Sequence, residues 1–329
     1  MALKIRNAIL HILRNDGPPS VFSDAELDID SEVCEAFIGK HVKKLINNAA
    51  VKTAHFKPDA ELYNLLIEYQ QREKHFMETA LVMAQRLDGI MEQEKSIPPC
   101  DMLVARVGQK TGEFIAVLLL HHHDVYAHKT VGSENMLHMC RALPFNTGKV
   151  EFAVLIALEG DSMGINIIEK PVEIYGVGTL YFSEMFLECE TSPSRKEQAV
   201  LINDVTTEFV DEFFKGDPNV SAKIKTALVE EADAEDGFVS MDNVARVAFE
   251  AQDEVREQYV NTLRDAGVRE DLPLGQSVVK QQFAMHKIKA ENGVEIRFPA
   301  ELAASEDGVE ITSHGDGTVS VLLKNLRMV

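Results

Sequence analysis

Imidazole, carboxylate and phenol crowd one stretch of the chain. The segment LLLHHHDVYAHKT, Leu118 to Thr130, carries four of the eleven histidines within eight positions. They are His121, His122, His123 and His128, with Asp124 and Tyr126 between them. Imidazole is the side chain best suited to hold a transition metal or to exchange a proton near neutrality. The stretch also reads more simply, as an apolar strand running out into solvent. Successive residues of a strand point to opposite faces. His121 and His123 would then share one face and His122 the other, so at most two of the triplet reach one ion. His128 joins them only if the chain turns back. A metal-dependent nuclease using His121, His123 and Asp124 is one reading, and a solvated strand end is the other.

Other catalytic signatures are weak. The four cysteines, Cys34, Cys100, Cys140 and Cys189, are scattered with no C-x-x-C pair, and only Cys140 has a histidine close by, His138. Such isolated thiols read as small buried hydrophobes rather than zinc ligands or a disulfide framework. No G-x-x-x-x-G-K-[ST], G-x-G-x-x-G or H-E-x-x-H pattern occurs. Nucleotide phosphates and helical zinc sites would need those spacings. The expectation is a non-catalytic chain with no cofactor.

Charge points elsewhere. The formal net charge is -20. Residues 1–150 hold 17 Lys+Arg against 19 Asp+Glu, and residues 151–329 hold 16 against 34, so the halves carry -2 and -18. Nucleic-acid affinity rests on Lys and Arg neutralising phosphates, so a DNA contact is expected in the first half and a protein partner on the acidic second half. From Ala36 through Pro58 run five lysines, Lys40, Lys43, Lys44, Lys52 and Lys57, with two histidines and no acid. Steps of three and four place Lys40, Lys43 and Lys44 on one helical face. Asn47, Asn48 and Thr53 add groups that can hydrogen-bond phosphate. The plainer alternative is a solvated helix end whose cations complement the dipole.

The elements that position these residues follow from periodicity. LKIRNAILHIL reads as an early strand and NDGPPSVFSD as a turn. Residues 31–49 follow a helical rule, with Val33, Phe37, Ile38, Val42, Leu45 and Ile46 on a stripe and Ser31 as N-cap. A second, longer helix is expected over 59–95, stopped by SIPPC. DMLVARVG, EFIAVLLLHHH and VEFAVLIALEG are apolar runs that read as strands of one sheet. Residues 180–266 return to helix, with the acidic run EEADAED, Glu230 to Asp236, as a solvated loop between two helices. The tail is β, with hairpin turns at Asn292–Gly293 and Asp316–Gly317. The fold class expected is α+β: a central, mostly antiparallel sheet with long N-terminal helices, a helical segment and a small C-terminal β tail. The corresponding segments are 1–98, 99–178, 179–270 and 271–329. No apolar run reaches the roughly 18–20 residues of a bilayer span, and MALKIRNAIL lacks a signal-peptide layout, so a cytoplasmic chain is expected. Open hairpins and apolar helix faces suggest a homodimer.

The C-terminal segment HKIKAENGVEIRFPAELAASEDGVEITSHGDGTVSVLLKNL resembles the ending of the bacterial nucleoid-associated proteins of the NdpA type. The similar positions are Gly293, Glu295, Ile296 and Pro299, then Asp316, Gly317, Thr318 and Ser320, then Lys324 and Asn325. DMLVARVGQKTGEFIAVLLLHHHDVYAHKT resembles that family's paired strands, with Tyr126 and His128 at the matching Tyr-x-His. ALPFNTGKVEFAVLIAL and SRKEQAVLINDVTTEFVDEF extend the likeness. The resemblance implies a nucleoid location and sequence-independent contact with double-stranded DNA. The alternatives are a module recruited to DNA-processing enzymes by another protein, and the metal-dependent nuclease above.

Overall fold

The computed structural model describes the chain except residues 1–2, 47, 73, 144–149, 160–162, 290–292, 304–307, 315–317 and 326–329, and the side chain of residue 313. The chain divides into two compact units, Met1–Ser192 and Pro193–Val329.

The first unit opens on a strand, β1 (Lys4–Leu13), followed by helix α1 (Glu32–Ile46), strand β2 (Lys52–Phe56) and helices α2 (Glu61–Gln70) and α3 (Phe76–Gln93). Strands β3 (Cys100–Gln109), β4 (Gly112–Leu120), β5 (His123–Val131), β6 (Glu134–Ala142), β7 (Phe152–Ala157) and β8 (Ile165–Ile168) come next. A small hairpin of β9 (Val172–Ile174) and β10 (Val177–Thr179), a π-helical turn at Phe182–Leu187 and strand β11 (Cys189–Thr191) complete the unit. Seven strands form one antiparallel sheet in the order β1-β3-β4-β7-β8-β2-β11.

The central strands are apolar throughout because both faces of the sheet are covered. Along β4, Ile115, Val117 and Leu119 enter the core beneath α2 and α3, and Ala116, Leu118 and Leu120 enter the core beneath α1. From α3, Ala80, Met83, Ala84 and Leu87 pack on the first side. From α1, Ile38, Val42 and Leu45 pack on the second, against Leu103, Ala105 and Leu118. Burying each such Val, Leu or Ile contributes about 1.5–3 kcal/mol.

The expected long N-terminal helices need correction. The early strand expected before them is present as β1, but the helix expected over 59–95 is two. Arg72 adopts a left-handed φ of 64°, and Lys74 reaches back to Glu68 at 2.9 Å. No Gly or Pro marks the break. It lets Leu62, Leu65 and Leu66 of α2 and Phe76 and Met83 of α3 turn toward the same core. Helix was also expected to resume at 180. Instead Phe182–Leu187 forms a π-helical turn with Phe182 stacked on Phe186 at 5.4 Å, and β11 pairs with β2 at the sheet edge.

The second unit contains α4 (Arg195–Phe214), α5 (Pro218–Ala234), β12 (Phe238–Ser240), α6 (Met241–Ala248), α7 (Asp253–Asp265), β13 (Asp271–Pro273), α8 (Gln276–Phe283), β14 (Met285–Lys289), β15 (Glu295–Pro299), α9 (Ala300–Ala303), β16 (Val309–Ser313) and β17 (Val319–Leu323). A capping box starts α4. The Ser194 hydroxyl accepts the Glu197 N–H and the Glu197 carboxylate accepts the Ser194 N–H, leaving fewer orphan donors at the helix start. Tyr259 packs on Phe209 and Phe249, and its hydroxyl meets Thr206 Oγ1 at 2.8 Å. The acidic run is not a loop: Glu230 to Ala234 close α5, as good helix formers can. The helix expected from the acidic run to residue 266 breaks at Phe249–Gln252 into α6 and α7. Both tail hairpins form, β14 with β15 and β16 with β17. Of their expected turn pairs, Asn292, Asp316 and Gly317 lie outside the described residues, and Gly293 has a φ of 87°. Gly237, with φ at 89°, meets Gly275 so closely that a Cβ would stand 2.7 Å from the Gly275 Cα.

One acid sensitivity follows from this unit. His286 on β14 is 3% exposed and packs on Phe298. Burial, and then the charge of Lys225 on α5, push its imidazole down to about 4. An unfolded histidine titrates near 6.5. Below that pH the unfolded chain binds a proton that the folded chain refuses. The stabilisation is whole above about pH 6.5 and lost as pH falls toward 4. We expect the urea midpoint to drop between pH 7 and pH 5, and to drop less in His286→Leu. Equal slopes in the two proteins would contradict this assignment.

Candidate nucleic-acid interface

The lysine-rich segment begins on α1. Glu32 and Glu35 occupy its first turn and Lys43 and Lys44 its last, each favoured there by the helix dipole. The inward stripe turns Lys40 and Lys43 to solvent, with Lys44 half-buried beside them. His41 lies inward and is 2% exposed. Its Nδ1 bonds the Phe37 carbonyl at 2.9 Å, and burial above all, then Lys44, lowers its pKa. His41 is therefore a neutral packing residue. Lys40 and Lys43 line a groove of about 230 Å³ with Leu3, Ile5, Glu32 and Glu35.

The remaining lysines stand apart. Lys52 shares its side of β2 with Ala54 and Phe56, which pack in the core beneath α2 and α3. That is the sheet face opposite α1. Its ammonium lies 3.9 Å from the Glu169 carboxylate, whose side chain is 0% exposed. Lys57 is exposed just beyond β2, lining a mostly apolar cleft of about 590 Å³ with Phe56, Tyr63 and Phe114. Thr53 and His55 point to the α1 side and are exposed. The Asn48 carboxamide oxygen accepts the Ala50 N–H at 2.9 Å. Asn47 lies outside the described residues. The structure thus gathers Lys40, Lys43 and Lys44 on one helix and places Lys52 and Lys57 elsewhere.

Several other cations of this unit are held by carboxylates, though Lys4, Arg14, Arg72, Lys95, Lys110 and Lys129 make no ion pair among the described residues. Arg6 and Arg106 both bind Glu113, at 3.1 and 3.0 Å. Arg86 binds Glu61 and Glu188. Lys170 binds Glu151 at 2.8 Å. Among the described residues, Lys40, Lys43 and Lys57 make no ion pair.

The histidine triplet separates. Strand β4 ends at Leu120, so the strand alternation assumed for His121 to His123 does not apply. His121 Nδ1 donates to the Pro99 carbonyl at 3.2 Å, and the ring stands edge-on to Phe152. Burial, the largest influence, lowers its pKa. His122 Nε2 meets buried Asp101 at 2.8 Å. His123 begins β5 and is exposed. Among the described residues no three His, Cys, Asp or Glu side chains converge as a metal ligand set.

The sequence also contains one G-x-S-x-G match, Gly160-Asp161-Ser162-Met163-Gly164. It joins β7 to β8, two antiparallel strands. A nucleophile elbow requires a strand-to-helix turn. Residues 160–162 lie outside the described residues.

The profile of the nucleoid-associated protein YejK family matches residues 9–328, nearly the whole chain. The chain belongs to this family. Membership of a nucleoid-associated family places it at the nucleoid, in the cytoplasm, and is consistent with a DNA-binding role. No curated protein matches the chain as a relative. Among the described residues no helix is long and apolar enough to cross a membrane.

The unit boundary changes the charge argument for this YejK-family chain. The first unit holds 18 Lys+Arg against 27 Asp+Glu, or -9, and the second holds 15 against 26, or -11. The acidity is shared, so a basic surface in the first unit is local to its lysines rather than general.

Proposed function

We propose that the chain binds double-stranded DNA through its phosphates, independent of sequence and without catalysis, using Lys40, Lys43 and Lys44 of α1. Lys57 is a separate cation at the end of β2 and can touch a neighbouring phosphate. Lys52 belongs to the internal pair with Glu169. The observation that carries the reading is the solvent face of α1, where Lys40 and Lys43 are exposed and free of ion pairs among the described residues. In a chain of net charge -20, any contact with phosphate must be concentrated where such cations lie together. Three phosphate contacts release counterions with a log–log salt slope of about -2.7. The test is duplex affinity measured from low to moderate salt, on fragments of unrelated sequence. A slope near that value on each fragment, with the DNA recovered intact, is the expected result. Salt-independent binding would defeat the reading.

A further inference from the structure

The cleft beside Lys57 is a break in the large sheet. Strand β2 runs on to Phe56, but β8 pairs with it only as far as Ala54 opposite Ile165. Pairing stops there, and Met163 is buried in the core beneath α2 and α3. Thr53 and Lys57 direct their backbone groups toward the β11 side, where the Thr53 carbonyl accepts the Ser192 N–H and the Lys57 N–H donates to the Glu188 carbonyl. Alternation then turns the N–H and C=O of Phe56 toward the break. No backbone partner meets them there among the described residues. Gly164 borders the break, and a Cβ at Gly164 would meet nothing within 4 Å.

The lining selects a ligand. Phe56 and Tyr63 approach from the α2 side, their rings 5.5 Å apart, and Phe114 from the α1 side. All three are half-buried, so part of each ring stays reachable. Aromatic side chains stack on the flat face of any nucleobase. The Lys57 ammonium stands at the mouth, exposed and without an ion pair among the described residues, and a phosphate is an anion that such a point charge holds. The Phe56 N–H and C=O offer a base edge one donor and one acceptor. Asp59 shares the rim and repels further negative charge, which favours one phosphate over a polyphosphate. At about 590 Å³ the cleft falls within the roughly 300–1,000 Å³ of small-ligand sites. A base inside an intact duplex is stacked and paired and cannot enter such a site, so the occupant is unpaired.

We propose that this cleft binds a single unpaired nucleotide, its base stacked on the Phe56, Tyr63 and Phe114 wall and its phosphate on Lys57. The proposal goes beyond the duplex contact, which is carried by α1.

Calorimetric titration of the full chain with deoxyadenosine monophosphate, and separately with single-stranded oligodeoxyadenylate, tests it. Gly164→Leu fills the cleft from a position that is open and needs no left-handed φ. It should weaken binding of either probe by about tenfold or more, the scale of a lost base stack. Lys57→Gln should weaken it by about threefold or more. The salt slope of duplex binding should be unchanged in Gly164→Leu, which separates this site from α1. Should that variant misfold, the backbone amide resonance of Phe56 in the unaltered protein decides: a saturable shift on adding the monophosphate or the oligomer supports the site, and no shift with either overturns it. Binding of both probes supports a site that accepts a free nucleotide, and binding of the oligomer alone supports one that takes its nucleotide from a strand. Neither probe binding at millimolar concentration, or affinities unaltered in both variants, overturns the proposal. Benzoate binding as tightly as the monophosphate overturns the ligand class.

Discussion

Replacing Lys40, Lys43 and Lys44 together by glutamate is expected to weaken duplex binding by about 10²–10³-fold at 0.1 M salt. The size follows from counterion release. Three contacts give a slope of about 2.7, and the decade between 0.1 M and 1 M salt is then worth about 2.7 powers of ten. Glutamate also adds repulsion. Glutamate in the last turn of α1 opposes the helix dipole, a local cost of a few tenths of a kcal/mol or more. The triple glutamine variant separates the effects: it should lose most of the salt slope while leaving α1 intact. Lys40 and Lys43 are exposed and Lys44 is half-buried, so circular dichroism should not change. Lys57→Gln should remove at most one contact, lowering the slope by about 0.9. Unaltered affinity and slope in the glutamate variant would remove α1 from the interface.

The lysines show what a sequence can and cannot convey. Their types and their spacing on α1 are enough to group Lys40, Lys43 and Lys44, because a helix repeats every 3.6 residues whatever packs on it. Lys52 is different. Its direction depends on which side of β2 is buried, and that is settled by Ala54 and Phe56 packing beneath α2 and α3. Its partner Glu169 comes from β8's end, far along the chain. Neither fact is local. The histidines fail for a related reason: alternation applies only while the strand lasts, and β4 stops at Leu120.

Legibility of the fold follows the same division. Strands β3, β4 and β7 announce themselves because a sheet covered on both faces selects unbroken apolar runs. The tail hairpins are marked by turn residues suited to positive φ. Strands β2, β8 and β11 are short and acquire their identity from pairing. The β5–β6 hairpin is hard to read from sequence because neither of its faces is buried, so burial does not sort its apolar and polar residues into a period-2 pattern. The Gly132–Ser133 turn between β5 and β6 was its one local signal. The split between α2 and α3 has no proline or glycine to mark it, and a shared core rather than a breaker imposes it.

The largest expected change in stability comes from Lys52→Met, about 3 kcal/mol near neutral pH. Glu169 has no exposed side-chain surface. One carboxylate oxygen accepts the Ser183 N–H at 3.0 Å, and the other makes no hydrogen bond among the described residues. Burial already holds its carboxyl above the usual range, with Ser183 and Lys52 working against that rise. Removing the ammonium leaves a buried, uncompensated charge, and breaking such pairs costs about 3–5 kcal/mol. The low end applies here because the pair is 3.9 Å apart and the carboxyl can take up a proton. The sign with pH follows. A raised carboxyl binds its proton in the folded chain at a pH where the unfolded chain has released it, so this contribution is whole below the unfolded value near 4.3 and is lost as pH rises from there through the higher folded value. Lys52→Met should therefore cost more at pH 8 than at pH 5. Lys52→Met/Glu169→Gln should recover much of the loss, since glutamine can still accept the Ser183 N–H without a charge. Urea unfolding of the three proteins at both pH values reads this directly. A cost that neither depends on pH nor yields to Glu169→Gln would mean that Lys52 supports the fold through its aliphatic chain instead.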